Sequence, residues 1–179
     1  STIQTYEQEL ELNRIWAEKK GDPQAQYLLA VRYLNGWGVK ADLKTTVRWL
    51  KKAAKSNHGP ALHTLGLLYR NQWQELGFAA EDEGDKKAFD CFQKSAATGF
   101  GKGYFQLGYS YNFGKGCTSD AEKALENYRR ALALDPASGG ILNNIGTIFE
   151  QRCIDLLTPP SEMQEITIVV NDTRTALKV

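Results

Sequence analysis

Leu65-Gly66-Leu67-Leu68-Tyr69 sets a small residue directly after a large aliphatic one and places an aromatic three positions beyond it. The same arrangement stands at Leu29-Ala30 with Tyr33, at Leu107-Gly108 with Tyr111 and at Ile145-Gly146 with Phe149, at successive intervals of 36, 42 and 38 residues. A recurrence of that length marks one supersecondary unit used repeatedly, each copy burying its apolar face against the next. The small residue lets two helices approach closely. Glycine inside a helix costs about 1 kcal/mol relative to alanine, so its use here implies a return in packing. The aromatic fills volume between helices of the same and adjacent units.

A second pattern follows at a steady offset with apolar residues at helical spacing. It reads Val47, Trp49, Leu50, Ala53, Ala54, then Phe89, Cys91, Phe92, Ser95, Ala96, then Leu125, Asn127, Tyr128, Ala131, Leu132. Asp42, Asp85 and Asp120 precede these runs, and each is expected to cap the first turn of its helix with a carboxylate. Asn57, Gly99 and Asp135-Pro136 follow them as terminators. Each unit therefore reads as helix, loop, helix, turn, and the fold class is all-α.

Three segments carry a family likeness: Asn35-Gly36-Trp37-Gly38-Val39 with Asp42, Phe113-Gly114-Lys115-Gly116-Cys117 with Asp120, and Lys87 to Gly99. Together they resemble the repeat of the Sel-one-like repeat family, the tetratricopeptide-like branch with a longer glycine-rich loop between its helices. Lys123 to Pro136 is closer to an ordinary tetratricopeptide second helix. The resemblance covers about residues 12 to 152. It implies an α/α solenoid, a right-handed superhelix, with the first helix of each unit lining a concave face.

The expected organisation is a repeat array over residues 1–154, followed by a non-repeat tail over 155–179. The array comprises a capping helix at 3–20, about three full repeats and a fourth first helix. Leu10, Leu12, Ile15, Trp16 and Ala17 give the capping helix its apolar face, and Gly21-Asp22-Pro23 ends it. In the tail, Thr158-Pro159-Pro160 breaks helix continuation, and Ile166-Thr167-Ile168-Val169-Val170 is a short β-branched run without a strand partner in the chain. It packs along the last helix, pairs with a partner or second copy, or precedes a further domain. The second repeat departs from the pattern with a longer loop, 72–84, whose Trp73, Leu76 and Phe78 pack on a neighbouring unit or contact a partner.

The chain has 179 residues with 22 basic and 21 acidic side chains, a net charge of +1. No basic stripe is apparent, and Lys51-Lys52 and Arg129-Arg130 read as solvated helix faces, so nucleic acid is not an expected partner. No stretch approaches the ~20 apolar residues of a membrane span. Cys91, Cys117 and Cys153 lack a C-x-x-C pairing and miss the positions at which the resemblance would place repeat disulfides. They read as reduced thiols in a cytoplasmic setting, although a removed leader would leave no trace and an exported location stays open.

Signatures of chemistry are sparse. His58 and His63 have no second ligand at metal spacing, and there is no nucleophile elbow, phosphate loop or serine three residues before a lysine. The acidic run Glu81 to Asp85 lacks the ligand spacing of a calcium loop. Asn171-Asp172-Thr173 fits the glycosylation triplet, a pattern common by chance. No catalytic residue, metal or cofactor is therefore expected.

What remains is a recognition surface. Counting two before, two after and five after each core aliphatic selects Tyr27, Val31 and Leu34; His63, Leu67 and Arg70; Phe105, Tyr109 and Asn112; and Asn143, Thr147 and Glu150. Of these, Tyr27, His63, Arg70, Phe105, Tyr109, Asn112 and Asn143, with Trp73 and Phe78 from the long loop, are the candidate protein-binding residues. The expected function is a non-catalytic module that binds a protein or peptide, in one form as an inhibitor or bacterial immunity protein. The alternatives are a cell-wall-related, β-lactamase-like hydrolase, as proposed for some cysteine-rich relatives, and a fragment of a larger multidomain repeat protein.

Overall fold

The computed structural model describes residues 2–157, and every regular element among them is helical. The order is α1 (Thr2–Ile15), closed by a π-helical turn at Trp16–Lys20, then α2 (Pro23–Asn35), α3 (Leu43–Lys55), α4 (Gly59–Asn71), α5 (Glu81–Ala97), α6 (Gly101–Phe113), α7 (Ala121–Leu134) and α8 (Gly139–Leu157). The chain divides after Ser138 into two compact units, and each is described by itself. The Ile166 to Val170 run, the Thr158-Pro159-Pro160 break and the Asn171 triplet lie outside the described residues.

In the first unit the strongest packing joins α2 to α3, α4 to α5 and α6 to α7, and weaker packing joins each pair to the next. Size complementarity fixes these pairs. Ala30 and Leu50, Gly66 and Phe92, and Gly108 and Tyr128 occupy equivalent positions, and all six are buried. A Cβ on Gly66 would lie 2.5 Å from the Phe92 ring, and one on Gly108 would lie 2.8 Å from the Tyr128 ring. Alanine is tolerated only opposite leucine; the ring-bearing repeats need glycine.

The loops of the first and third repeats turn on paired glycines in the left-handed region, Gly36 and Gly38, then Gly114 and Gly116, at φ between 65° and 75°. Each loop is closed by the same bond, Asp42 N–H to Tyr33 C=O at 3.0 Å and Asp120 N–H to Tyr111 C=O at 2.9 Å. The two aspartates then cap α3 and α7 by accepting from Lys44 N–H at 3.1 Å and Lys123 N–H at 3.0 Å.

Asp85 does not cap. Glu81, Asp82 and Glu83 complement the helix dipole in a first turn that starts at Ala80, so α5 begins four residues before Asp85 and runs for 17 residues. This places Asp85 inside the helix and buried. The segment 72–84 is correspondingly not one loop: its last four residues are the first turn of α5.

The second unit contains α8, whose Ile141 and Ile148 are buried. Here the packing role expected of the repeated motif is not met. Gly146 has no atom within 4 Å of an added Cβ, and Phe149 is exposed. Among the described residues α8 has no following second helix to supply the ring or leucine that the motif otherwise accommodates.

Candidate protein-binding surface

The first helices α4 and α6 touch one another across the repeats, whereas the second helices α5 and α7 make no comparable contact. Closer approach on one side makes the first-helix side of repeats two and three the inner one. His63, Arg70, Phe105, Tyr109 and Asn112 belong to these two helices.

Arg70 holds the repeats together. Its guanidinium donates to Gln106 Oε1 at 3.0 Å and Ser110 Oγ at 2.7 Å, both on α6. Its Nε lies 3.5 Å from Asp85 Oδ1, and its Cζ sits 4.7 Å over the Phe92 ring and 5.2 Å over the Tyr109 ring. Burial lowers the Arg70 pKa, with Asp85 opposing. Lys115, from the third-repeat loop, reaches Glu81 at 2.9 Å and Asp85 at 3.4 Å. The buried carboxylate thus meets cations from two repeats, the arrangement a desolvated charge requires.

His63 is half-buried, with its ring 5.6 Å from Phe100 and 6.2 Å from Phe92, and burial pushes its pKa down to about 4. At neutral pH it is an uncharged aromatic packed against Phe92 and Phe100 rather than a surface group. His58 caps α4: its Nδ1 accepts from Ala61 N–H at 3.2 Å, which leaves Nε2 to donate to Gln24 Oε1 at 2.8 Å. Tyr27 lies against this ring at 5.2 Å. Phe105 packs on Tyr128 at 5.9 Å, and Tyr109 on Phe113 at 4.6 Å. Asn112 is half-buried at the end of α6.

In the second-repeat loop, Phe78 stands edge-on to Tyr69 at 5.6 Å, and a Cβ on Gly84 would meet Trp73 Cβ at 2.7 Å. Both aromatics are half-buried, and Leu76 packs with Phe78 on the core. Asn143, Thr147 and Glu150 are exposed on α8 in the second unit. The structure therefore joins Arg70 to Tyr109, and leaves Tyr27, Phe105 and Phe78 in separate aromatic pairs.

Two features of the surface were not singled out from the residue pattern. An open groove of about 820 Å³ runs between α1 and α2. Leu12, Leu28, Val31 and Trp37 supply its apolar wall, and Arg32 bonds Glu9 at 3.2 Å along it. Trp37 is 58% exposed and Leu12 55%. The Trp between two left-handed glycines was the available signal, since those glycines hold its backbone in a turn at the surface. The second feature is a basic stripe. Lys44, Arg48, Lys51, Lys52 and Lys55 recur along one face of α3 and border a groove of about 710 Å³ with Lys87 of α5.

Of the three thiols, Cys91 is buried with its pKa pushed up to about 12, Cys117 donates to Ser110 C=O at 3.4 Å, and Cys153 is exposed. Among the described residues no helix is long and apolar enough to cross a membrane.

A family model described as the Sel1 repeat matches residues 23–58, 61–100 and 101–136, the helix pairs α2–α3, α4–α5 and α6–α7. Over 118 residues the chain is 31% identical to chitin synthase regulatory factor 3 of Schizosaccharomyces pombe, covering 63% of this chain and 12% of that protein. Over 125 residues it is 30% identical to a putative ERAD-associated E3 ubiquitin-protein ligase component of the same organism, covering 69% and 17%. It thus spans less than a fifth of either curated relative it matches. A Sel1 repeat protein from Oxalobacter formigenes is 28% identical with a TM-score of 0.61, covering 73% of this chain and 92% of that one. Helicobacter pylori cysteine rich protein B is similar in fold, with a TM-score of 0.51 at 22% identity over 79% of this chain and 90% of that one.

Proposed function

This chain belongs to the Sel1 repeat family, and from that premise we propose that it is a non-catalytic interaction module that binds a protein or peptide on its first-helix side. Proteins built of Sel1 repeats generally mediate protein–protein interaction. The observation that carries the reading is the groove between α1 and α2. Leu28, Val31 and Trp37 of the first repeat, with Leu12 opposite, expose an apolar surface in a cleft large enough to take several side chains. The Glu9–Arg32 pair beside it supplies polar groups for orientation.

The candidate acid–base and nucleophilic groups are engaged in structure, which favours binding over catalysis. His58 caps α4, His63 packs edge-on against Phe100, and Cys91 is buried and protonated. A rigid array that covers what it holds can regulate or inhibit its partner, and an inhibitor or immunity role is one form of that activity. The three unpaired thiols favour a reducing compartment.

The reading is tested by affinity capture with wild type and with Leu28→Glu/Trp37→Ala, both confirmed folded by circular dichroism. Proteins retained by the wild type and lost from the variant are expected. The same proteins retained by both would overturn the assignment of the groove.

A further inference from the structure

We propose that the groove between α3 and the start of α5 is a second docking site, on the opposite row of helices, for an acidic peptide segment with interspersed apolar side chains. This goes beyond the interaction reading above, since it involves the second helices and none of Leu12, Leu28 or Trp37.

The thirteen residues of α3 contain Lys44, Arg48, Lys51, Lys52 and Lys55 and no acidic residue, in a chain whose net charge is only +1. Their spacing sets them along one face, and with Lys87 from α5 they line a single groove of about 710 Å³. All six are exposed, and none forms an ion pair among the described residues. By contrast Arg32, Arg70, Lys86, Lys94, Lys115, Lys123 and Arg130 each have a carboxylate partner. No carboxylate lines the groove. A cleft walled by charge of one sign over apolar material focuses its field on whatever enters.

The floor decides what class of anion fits. Val47, Tyr69, Leu76 and Phe78 form it, so an occupant gains by bringing apolar side chains as well as charge. The groove offers a base no open stacking platform: Tyr69 is buried, and half-buried Phe78 is paired with it at 5.6 Å. Lys44 to Lys55 spans about 16 Å at 1.5 Å per residue, the reach of about five residues of extended peptide. A short acidic segment with alternating side chains matches that length, two chemistries and one face each.

The long second-repeat loop gains a role. Leu76 and Phe78 sit in the loop that is longer in the second repeat than in the first and third, and they supply part of the apolar floor beside the lysine-bearing helix. The interruption of the repeat thereby adds apolar floor that the shorter loops of the other repeats do not supply.

The test uses a fluorescein-labelled ten-residue peptide alternating Asp or Glu with Leu and Phe, titrated against the full chain by fluorescence anisotropy. Lys51→Glu/Lys55→Glu is expected to weaken binding by about tenfold or more, and Lys51→Gln/Lys55→Gln by less, with affinity falling as salt rises. Lys20→Glu/Arg129→Glu makes the same change in net charge away from the groove and is expected to leave affinity within about twofold. Equal weakening by the two reversal pairs would overturn the proposal, because net charge alone would then explain binding. So would undiminished binding of a peptide with Ser for every Leu and Phe, or tighter binding of a ten-nucleotide DNA or of phosphatidylserine vesicles. Absence of peptide binding at millimolar concentration would overturn it as well. Loss of capture by Leu28→Glu/Trp37→Ala is a separate measurement, so either site can fail alone.

Discussion

Gly108→Ala is expected to destabilise the array even though alanine is the better helix former. The new methyl would lie 2.8 Å from Tyr128 Cδ1, 2.9 Å from Cε1 and 3.2 Å from the Ala124 carbonyl oxygen. Tyr128 is fully buried, so its ring has no solvent side to move into. Overpacking of this kind costs about 1–3 kcal/mol, against which the helical preference for alanine returns about 1 kcal/mol. The net loss is about 1 kcal/mol, a fall in Tm of roughly 2–4 °C for a chain of this size. Combining Gly108→Ala with Tyr128→Leu recreates the Ala30 and Leu50 pairing of the first repeat, so the double variant should be more stable than the sum of the single effects by about 1 kcal/mol. Urea denaturation followed by circular dichroism reads all four proteins. A Gly108→Ala protein as stable as wild type, or additive effects in the cycle, would refute the size-matching argument.

Gly146→Ala should act in the opposite direction, because open space surrounds the site; slower amide exchange along α8, by about fivefold for ~1 kcal/mol, is the expected reading. Arg70→Ala leaves Asp85 with Lys115 alone and should lower stability by about 3 kcal/mol, whereas Arg70→Met/Asp85→Leu strands no charge and should lose less in the same denaturation assay. Below pH 6.5 the unfolded chain protonates His63, while the folded ring resists protonation until about pH 4. Stability therefore falls as pH drops through that window, by on the order of 3 kcal/mol, and His63→Gln should lack that part of the slope. In the native protein iodoacetamide at pH 8 should label the exposed Cys153 and leave Cys91, whose thiol stays protonated, unmodified until denaturant is added.

The helix pairs were readable because local rules agree there. Aspartate ahead of α3 and α7 and left-handed glycines in the loops act within a few residues of themselves, and the glycine that faces a ring recurs at a fixed register in the second and third repeats. Asp85 reads as a cap because it stands just ahead of its apolar run, but it precedes Phe92 by seven residues where Asp42 precedes Leu50 and Asp120 precedes Tyr128 by eight. What moved it inside α5 is the acidic turn Glu81 to Glu83 together with Arg70 and Lys115 from other elements.

The candidate surface was less legible for the same reason. Helical register places Arg70 and His63 on the inner side, but only the three-dimensional arrangement shows that Gln106, Ser110, Phe92 and Phe100 engage them. The basic row of α3 reads as an ordinary solvated face until Tyr69, Leu76, Phe78 and Lys87 arrive from three other segments to make it a groove. The apolar cleft at α1 and α2 likewise joins residues more than twenty positions apart.

The proposed partner sits on the first-helix side of the amino-terminal repeat. Hydrogen–deuterium exchange of the full chain, alone and saturated with a captured partner, tests it most directly. Slowed exchange is expected over residues 28–37, with α8 unchanged. A saturated complex in which residues 28–37 exchange as fast as in the free protein would contradict it.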